Sequence, residues 1–237
     1  KGLRFPMISI PSFQILEQLK ENSNYVIWKG LDLNKRPVIG KVLKWESITP
    51  KEKASLRNEF EILKTLSNKN YIVQVYELIE REDIYALVLE DFGGKSIRSL
   101  LEEKKFTLLE ILNIGISCAS ALTEIHTNGI IHKDINPANL VLNAETGQLK
   151  VIDFGISERI SLKSLSLNNP EKLDGTIAYI SPEQTGRMNR YIDHRSDLYS
   201  LGVTLYELFC GKVPFDSDDP LEVIHAHIAT YPVDPCL

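Results

Sequence analysis

The stretch "IIHKDINPANLVL", residues 130–142, sets a polar knot between two apolar runs. His132, Lys133, Asp134, Asn136 and Asn139 crowd together there, flanked by apolar residues such as Ile130, Ile131, Leu140 and Leu142. A loop of this kind on a rigid apolar scaffold is where chemistry is usually carried. Working outward, an amphipathic segment precedes it and a second apolar run, Leu149–Ile152, follows it and ends in Asp153-Phe154-Gly155.

Further upstream the chain reads as β-rich. Phe13–Leu19, Tyr25–Leu31 and Pro37–Leu43 are short apolar or alternating runs separated by polar turns, and Tyr71–Glu80 and Ile84–Glu90 read as two more strands. Between them, Thr49-Pro50-Lys51-Glu52 carries a hydroxyl at the N-cap, proline at the first helical position and glutamate at the third, which predicts a helix to about Leu66. Leu56, Phe60, Leu63 and Leu66 form its apolar stripe. From residue 96 the period becomes helical. Thr107–Glu110 is a second capping box, with Leu109, Leu112, Ile116, Ala119, Leu122, Thr123 and His126 on the predicted inner face and Gly129 at the end. Ser196–Cys210 and Pro220–Ala229 are two further helices. These patterns predict an α+β, two-lobed fold. Residues 12–90 form a lobe of about five antiparallel strands and one helix, 91–94 a hinge, and 95–237 a mainly helical lobe; the crevice between them is the expected ligand site.

Composition narrows the function classes. The 237 residues carry a net charge of −5, which offers no bulk attraction to nucleic acid. No uninterrupted apolar run approaches the roughly 18 residues needed to cross a bilayer, so no membrane insertion is expected. Cys118, Cys210 and Cys236 are odd in number and lack metal-ligand spacing, as in a reduced cytoplasmic protein. The opening KGLRFPM has neither an initiator methionine nor a signal-peptide core, which suggests an internal piece of a longer chain.

Phosphoryl transfer requires cations and a divalent metal for the nucleotide, hard oxygens for the metal, and a carboxylate for the attacking hydroxyl. Asn139 and Asp153 offer the metal oxygens, Asp134 the base, and Lys41, at the end of an apolar strand, a phosphate clamp. Lys41 needs an acid to hold it. On the capped helix, at 100° per residue, Glu59 flanks the apolar stripe while Glu61 lies almost opposite, so Glu59 is the predicted partner.

Together these residues resemble the protein-kinase superfamily, serine/threonine branch, over essentially the whole chain. His132-Lys133-Asp134 through Asn139 is similar to the catalytic loop, Asp153-Phe154-Gly155 to the motif opening the activation segment, and Ser181-Pro182-Glu183 to the motif closing it. Gly175–Tyr179, with Thr176, resembles the substrate-positioning loop, and Asp197 the helix acid that braces the catalytic loop. The resemblance implies ATP and Mg2+ as cofactors. It makes Leu89 the gatekeeper, Glu90–Phe92 the adenine-pairing hinge, and Leu19, Ile27, Ile39 and Val141 the adenine sandwich. It also implies further C-terminal helices, one with an arginine for Glu183, so the second lobe is expected to be incomplete. A narrower resemblance, in "HKDINPANL" and the region around "AYISPEQTGRMNRYIDHRSDLYSLGV", is to the amino-terminal kinase-like domain of large bacterial hybrid proteins that continue into ATPase, GAF and sensor histidine kinase domains. Such proteins act in two-component signalling, which makes flanking domains the expected partners.

Four departures bear on activity. Lys20, Asn22 and Tyr25 stand where the family has phosphate-loop glycines, predicting weaker ATP binding. Ile39 replaces a small residue above adenine. Lys133 replaces the arginine that reads activation-segment phosphorylation, predicting weaker dependence on such a switch even though Ser161, Ser164, Ser166 and Thr176 are available. Asn136 replaces the loop lysine that neutralises the transferring group, a loss on the order of 10²–10³ in rate. Retention of Lys41, Glu59, Asp134, Asn139 and Asp153 favours an active, slow kinase over a nucleotide-sensing pseudokinase. Gly175–Tyr179 and Ser181-Pro182-Glu183 argue against a small-molecule phosphotransferase. The protein substrate is not legible. The basic stretch Gly186–Arg190 reads as a solvated loop or a contact for an acidic target or a neighbouring domain.

Overall fold

The computed structural model describes residues 12–159, 177–188 and 190–235. The chain divides into two compact units, one running to Ser67 and resuming over Val73–Gly93, the other comprising Asn68–Ile72 and the chain from Gly94.

The first unit is a five-stranded antiparallel sheet with one helix. Its strands are β1 (Phe13–Glu21), β2 (Tyr25–Asp32), β3 (Pro37–Leu43), β4 (Val75–Glu80) and β5 (Tyr85–Glu90), in the order β1-β2-β3-β5-β4. Alternation along the strands sorts the side chains onto two faces. Phe13, Val38, Val42, Ile79, Ala86 and Val88 pack into one cluster. The register places Ile27 opposite Lys41, Lys41 opposite Leu87, and Ile39 opposite Leu89, so these five share the other face. Gly40 faces the cluster because nothing larger fits. A Cβ there would stand 2.3 Å from the Phe13 ring.

Helix α1 (Pro50–Thr65) begins as its sequence predicts, with the Thr49 side chain accepting from the Glu52 amide and proline in the first turn. Its buried residues are Leu56, Glu59, Ile62 and Leu63, with Leu66 at the cap; Phe60 is only partly buried and Ile62 takes the place expected for it. The strand predicted from Tyr71 starts only at Val75. The Val151 amide donates to the Tyr71 carbonyl and Ile72 bridges Val151, so this segment is spent on the second unit.

The second unit is built on α2 (Ile97–Glu103), α3 (Leu108–Thr127), α4 (His194–Cys210) and α5 (Pro220–Ala229). Short strands β6 (Lys95–Ser96), β8 (Leu140–Leu142) and β9 (Leu149–Val151) form one small sheet, and β7 (Ile130–Ile131) pairs with β10 (Glu158–Arg159). The Thr107–Glu110 capping box closes reciprocally, and Gly129 ends α3 at a φ of 68°. The inner face of α3 differs from its prediction. Ile111, Ile114, Cys118, Ala121, Leu122 and Ile125 are buried, whereas Leu109, Leu112 and Ile116 are 68, 50 and 65% exposed. Both faces of α3 are apolar, so periodicity alone did not tell them apart. By length and composition α3 is apolar enough to cross a membrane, although no uninterrupted apolar run in the sequence is. The six buried side chains pack it into this unit.

Candidate functional site

In the first unit, β3 and α1 bring Lys41 and Glu59 together. Lys41 Nζ donates to Glu59 Oε2 at 2.8 Å, with the two side chains 9 and 1% exposed. Glu61, on the same helix, is exposed. Burying two charges is costly and is tolerated only when they are paired in good geometry. The Tyr25 ring centroid lies 4.8 Å from Lys41 Nζ, and the Tyr25 hydroxyl donates to Glu52 on α1. An aromatic side chain therefore stands against the lysine at a position where the resemblance led one to look for glycine.

Of the residues expected around adenine, Ile27, Ile39 and Leu89 lie on the Lys41 face of the sheet. Leu19 falls in a register shift between Gln18 and Lys20 and is 49% exposed. The Glu90 amide donates to the Gln74 carbonyl, and the Glu90 carboxylate accepts from the Gln74 amide, so this end of β5 is fixed to the approach to β4. Phe92 is half-buried and follows Asp91, whose carboxylate meets Lys29 at 3.0 Å. Val141 belongs to β8 of the second unit.

The polar knot sits between β7 and β8 and is tied down mainly through Asp197 of α4. This buried carboxylate accepts from the His132 amide at 2.9 Å, the Lys133 amide at 2.7 Å, and pairs with His126 Nε2 at 2.8 Å. Sequence reasoning found Asp197 but not His126, whose side chain gave no signal beyond its place on α3. Lys133 adopts a φ of 69°, which for a residue with a Cβ costs roughly 1–2 kcal/mol, and Asp153 one of 63°, which aspartate tolerates better. The fold holds the strained loop in place, with Gln184 Nε2 donating to the Lys133 carbonyl at 2.8 Å. The Lys133 side chain pairs with Glu158.

His132 is fully buried and neutral. Burial pulls its imidazole below the ordinary value. Its Nδ1 accepts from the Asp134 amide at 3.2 Å, so Nε2 carries the proton and donates to the Ile152 carbonyl at 3.2 Å. The ring stacks edge-on against buried Phe154, centroids 4.6 Å apart.

Asp134 is held from both sides. Asn136 Nδ2 donates to one carboxylate oxygen at 2.9 Å and Asn139 Nδ2 to the other at 2.7 Å. The Asn136 carbonyl oxygen in turn accepts from the Ala138 amide. With its nitrogen so used, Asn139 has Oδ1 as the atom that suits a hard cation. Asp153 adds a carboxylate, one oxygen of which accepts from the Gly155 amide at 3.3 Å. Among the described residues no group of three or more His, Cys, Asp or Glu is disposed to hold a metal. An amide and a carboxylate completed by ligand oxygens fit Mg2+ rather than an all-protein cage.

At the closing motif, Ser196 Oγ donates to Glu183 at 2.5 Å, so the acid expected to await an arginine is met by a hydroxyl of α4. Sequence reasoning missed a second cluster. Arg98 of α2 donates to both oxygens of Glu207 of α4, at 2.7 and 3.0 Å, and the Tyr179 hydroxyl donates to Glu207 at 2.5 Å. Burial and that carboxylate push the Tyr179 phenol far up. Thr176, Gly175 and the hydroxyls of Ser161, Ser164 and Ser166 lie outside the described residues, as do Asn189 of the basic stretch and Cys236.

A family profile described as protein kinase domain matches residues 25–233. A probable serine/threonine-protein kinase of Clostridium perfringens is 38% identical over 180 residues, covering 76% of this chain and 25% of its own length. Another, of Clostridium acetobutylicum, is 33% identical over 226 residues, or 94% of this chain and 34% of its own. The serine/threonine-protein kinase PknB of Mycobacterium tuberculosis is 36% identical over 173 residues, 71% of this chain and 27% of its own. The chain thus spans about a quarter to a third of the length of these curated relatives.

Proposed function

From the premise that this chain belongs to the protein kinase domain family, we propose that it transfers the γ-phosphoryl group of ATP, with Mg2+, to a serine or threonine hydroxyl of a protein. The observation that carries this reading is the closed, buried Lys41–Glu59 pair. A buried ammonium engaged by a carboxylate is poised for a polyanion, and such a pair is costly to keep without a use for it.

In this reading Lys41 binds a phosphate of the nucleotide and Glu59 orients it. Asp134 accepts a hydrogen bond from the substrate hydroxyl and takes its proton as the new P–O bond forms and the bond to ADP breaks. Asn136 and Asn139 fix both carboxylate oxygens and so set the direction from which the hydroxyl approaches. Asn139 and Asp153 would hold Mg2+, which when bound would supply positive charge to offset that of the nucleotide phosphates. Asn136 brings no positive charge to the transferring group, so turnover is slow. We extend the reading to a cytoplasmic domain of a larger bacterial signalling protein, with neighbouring domains of the same polypeptide as its partners. The greater length of the curated relatives supports the larger polypeptide in this reading.

A second reading, a nucleotide-sensing domain with little catalysis, is favoured by the Tyr25 ring against Lys41. Incubation of the purified protein with radiolabelled ATP, Mg2+ and a generic protein substrate separates the two. Label transfer is expected, and Asp134→Ala is expected to abolish it. Transfer that survives Asp134→Ala sinks the assignment of the base. Nucleotide binding unchanged by both Lys41→Met and Asp153→Ala sinks the nucleotide site.

A further inference from the structure

We propose that Glu158 is a positioning residue, an internal anion that seats Lys133 and so organises the loop carrying Asp134 without any phosphorylated residue. The inference rests on the phosphoryl-transfer reading above and deepens it.

Lys133 immediately precedes Asp134, and its backbone occupies a left-handed conformation. Its amide is taken by Asp197 and its carbonyl by Gln184 Nε2. Its side chain is only 8% exposed and meets Glu158, which keeps 38% exposure at the edge of the unit. An ammonium this buried needs a counter-ion, because a buried charge left unpaired is strongly destabilising. β10 supplies the acid by construction. Glu158 pairs in register with Ile131, two residues before Lys133, and the Ser157 hydroxyl donates to the His132 carbonyl at 3.0 Å. The acid and the loop are therefore linked by backbone, hydroxyl and charge at once. An anion added elsewhere, such as a phosphate on a neighbouring hydroxyl, would find this cation already engaged.

The test uses the protein stripped of phosphate by a broad-specificity phosphatase, with intact mass confirming removal. Wild type is expected to keep its phosphoryl-transfer rate within twofold. Glu158→Gln is expected to lower kcat at least tenfold while KM for ATP stays within twofold. The double variant Lys133→Met, Glu158→Gln, which removes the orphaned charge as well, is expected to recover to within threefold of wild type. A tenfold fall of wild type on dephosphorylation, a normal rate in Glu158→Gln, or a double variant no better than the single one overturns the proposal.

Amide exchange across Lys133–Asn139 gives a second readout independent of catalysis. Exchange should quicken in Glu158→Gln and slow again in the double variant. A wild-type protein that transfers no phosphate refutes the functional reading alone. The role of Glu158 then stands or falls on the exchange, and unchanged exchange in Glu158→Gln overturns it.

Discussion

At the scale of single residues, buried charges and strained backbone mark out the candidate site. Lys41 and Glu59 are desolvated together, so removing one partner takes a buried, charge-assisted hydrogen bond from the other. Glu59→Ala is expected to destabilise the protein by about 3 kcal/mol, read from urea unfolding, whereas the double variant Lys41→Met, Glu59→Leu should recover most of that loss. Glu59 was legible in the sequence because its angle on α1 fell beside the apolar stripe. His126 was not, because a polar residue near a helix end looks the same whether it faces water or Asp197. Tyr25 was legible as a departure from glycine but not as a neighbour of Lys41, since that contact depends on the register of β2 against β3.

At the scale of elements, caps and turns decided the boundaries and packing decided the faces. The proline-led start of α1 and the capping box of α3 are local chemistry, so the sequence located both. The buried side of α3 is a tertiary choice between two apolar faces, and it went to Ile111, Ile114, Cys118 and Ile125 instead of Leu109, Leu112 and Ile116. Burial on that side also pushes the Cys118 thiol up to about 12, which leaves it unreactive at neutral pH. In the sheet, β3 passes Phe13 so closely that its glycine is structural. Gly40→Ala is expected to cost about 2 kcal/mol by overpacking, measured as a lower urea midpoint with an unchanged m-value. Phe13→Leu in the same chain should return part of it by making room.

At the scale of the whole molecule, two buried histidines set the acid side of stability. Burial holds His132 and His227 below their ordinary value of 6.5. The unfolded chain therefore binds protons near pH 6.5 that the folded chain refuses, so stability is full above that value and falls as pH drops below it. The slope is at most about 1.4 kcal/mol per pH unit for each proton. Urea midpoints at pH 7.5 and 5.5 should show the fall, and His227→Gln should make it shallower. Segment 68–72 shows the limit of reading organisation from a string. Its last two residues look like the start of a strand of the first unit, but the Tyr71 carbonyl and Ile72 pair with Val151, about eighty residues away, in the second. The single carboxylate of Asp197 has a consequence for the order of assembly. It joins α4 to partners 64, 65 and 71 residues earlier in the chain, so the polar loop closes across long sequence distances. Such closures form late in folding because their entropy is recovered only when both ends are in place. Pulse-labelled exchange during refolding should find the His132 and Lys133 amides among the last protected, after those in the body of α3.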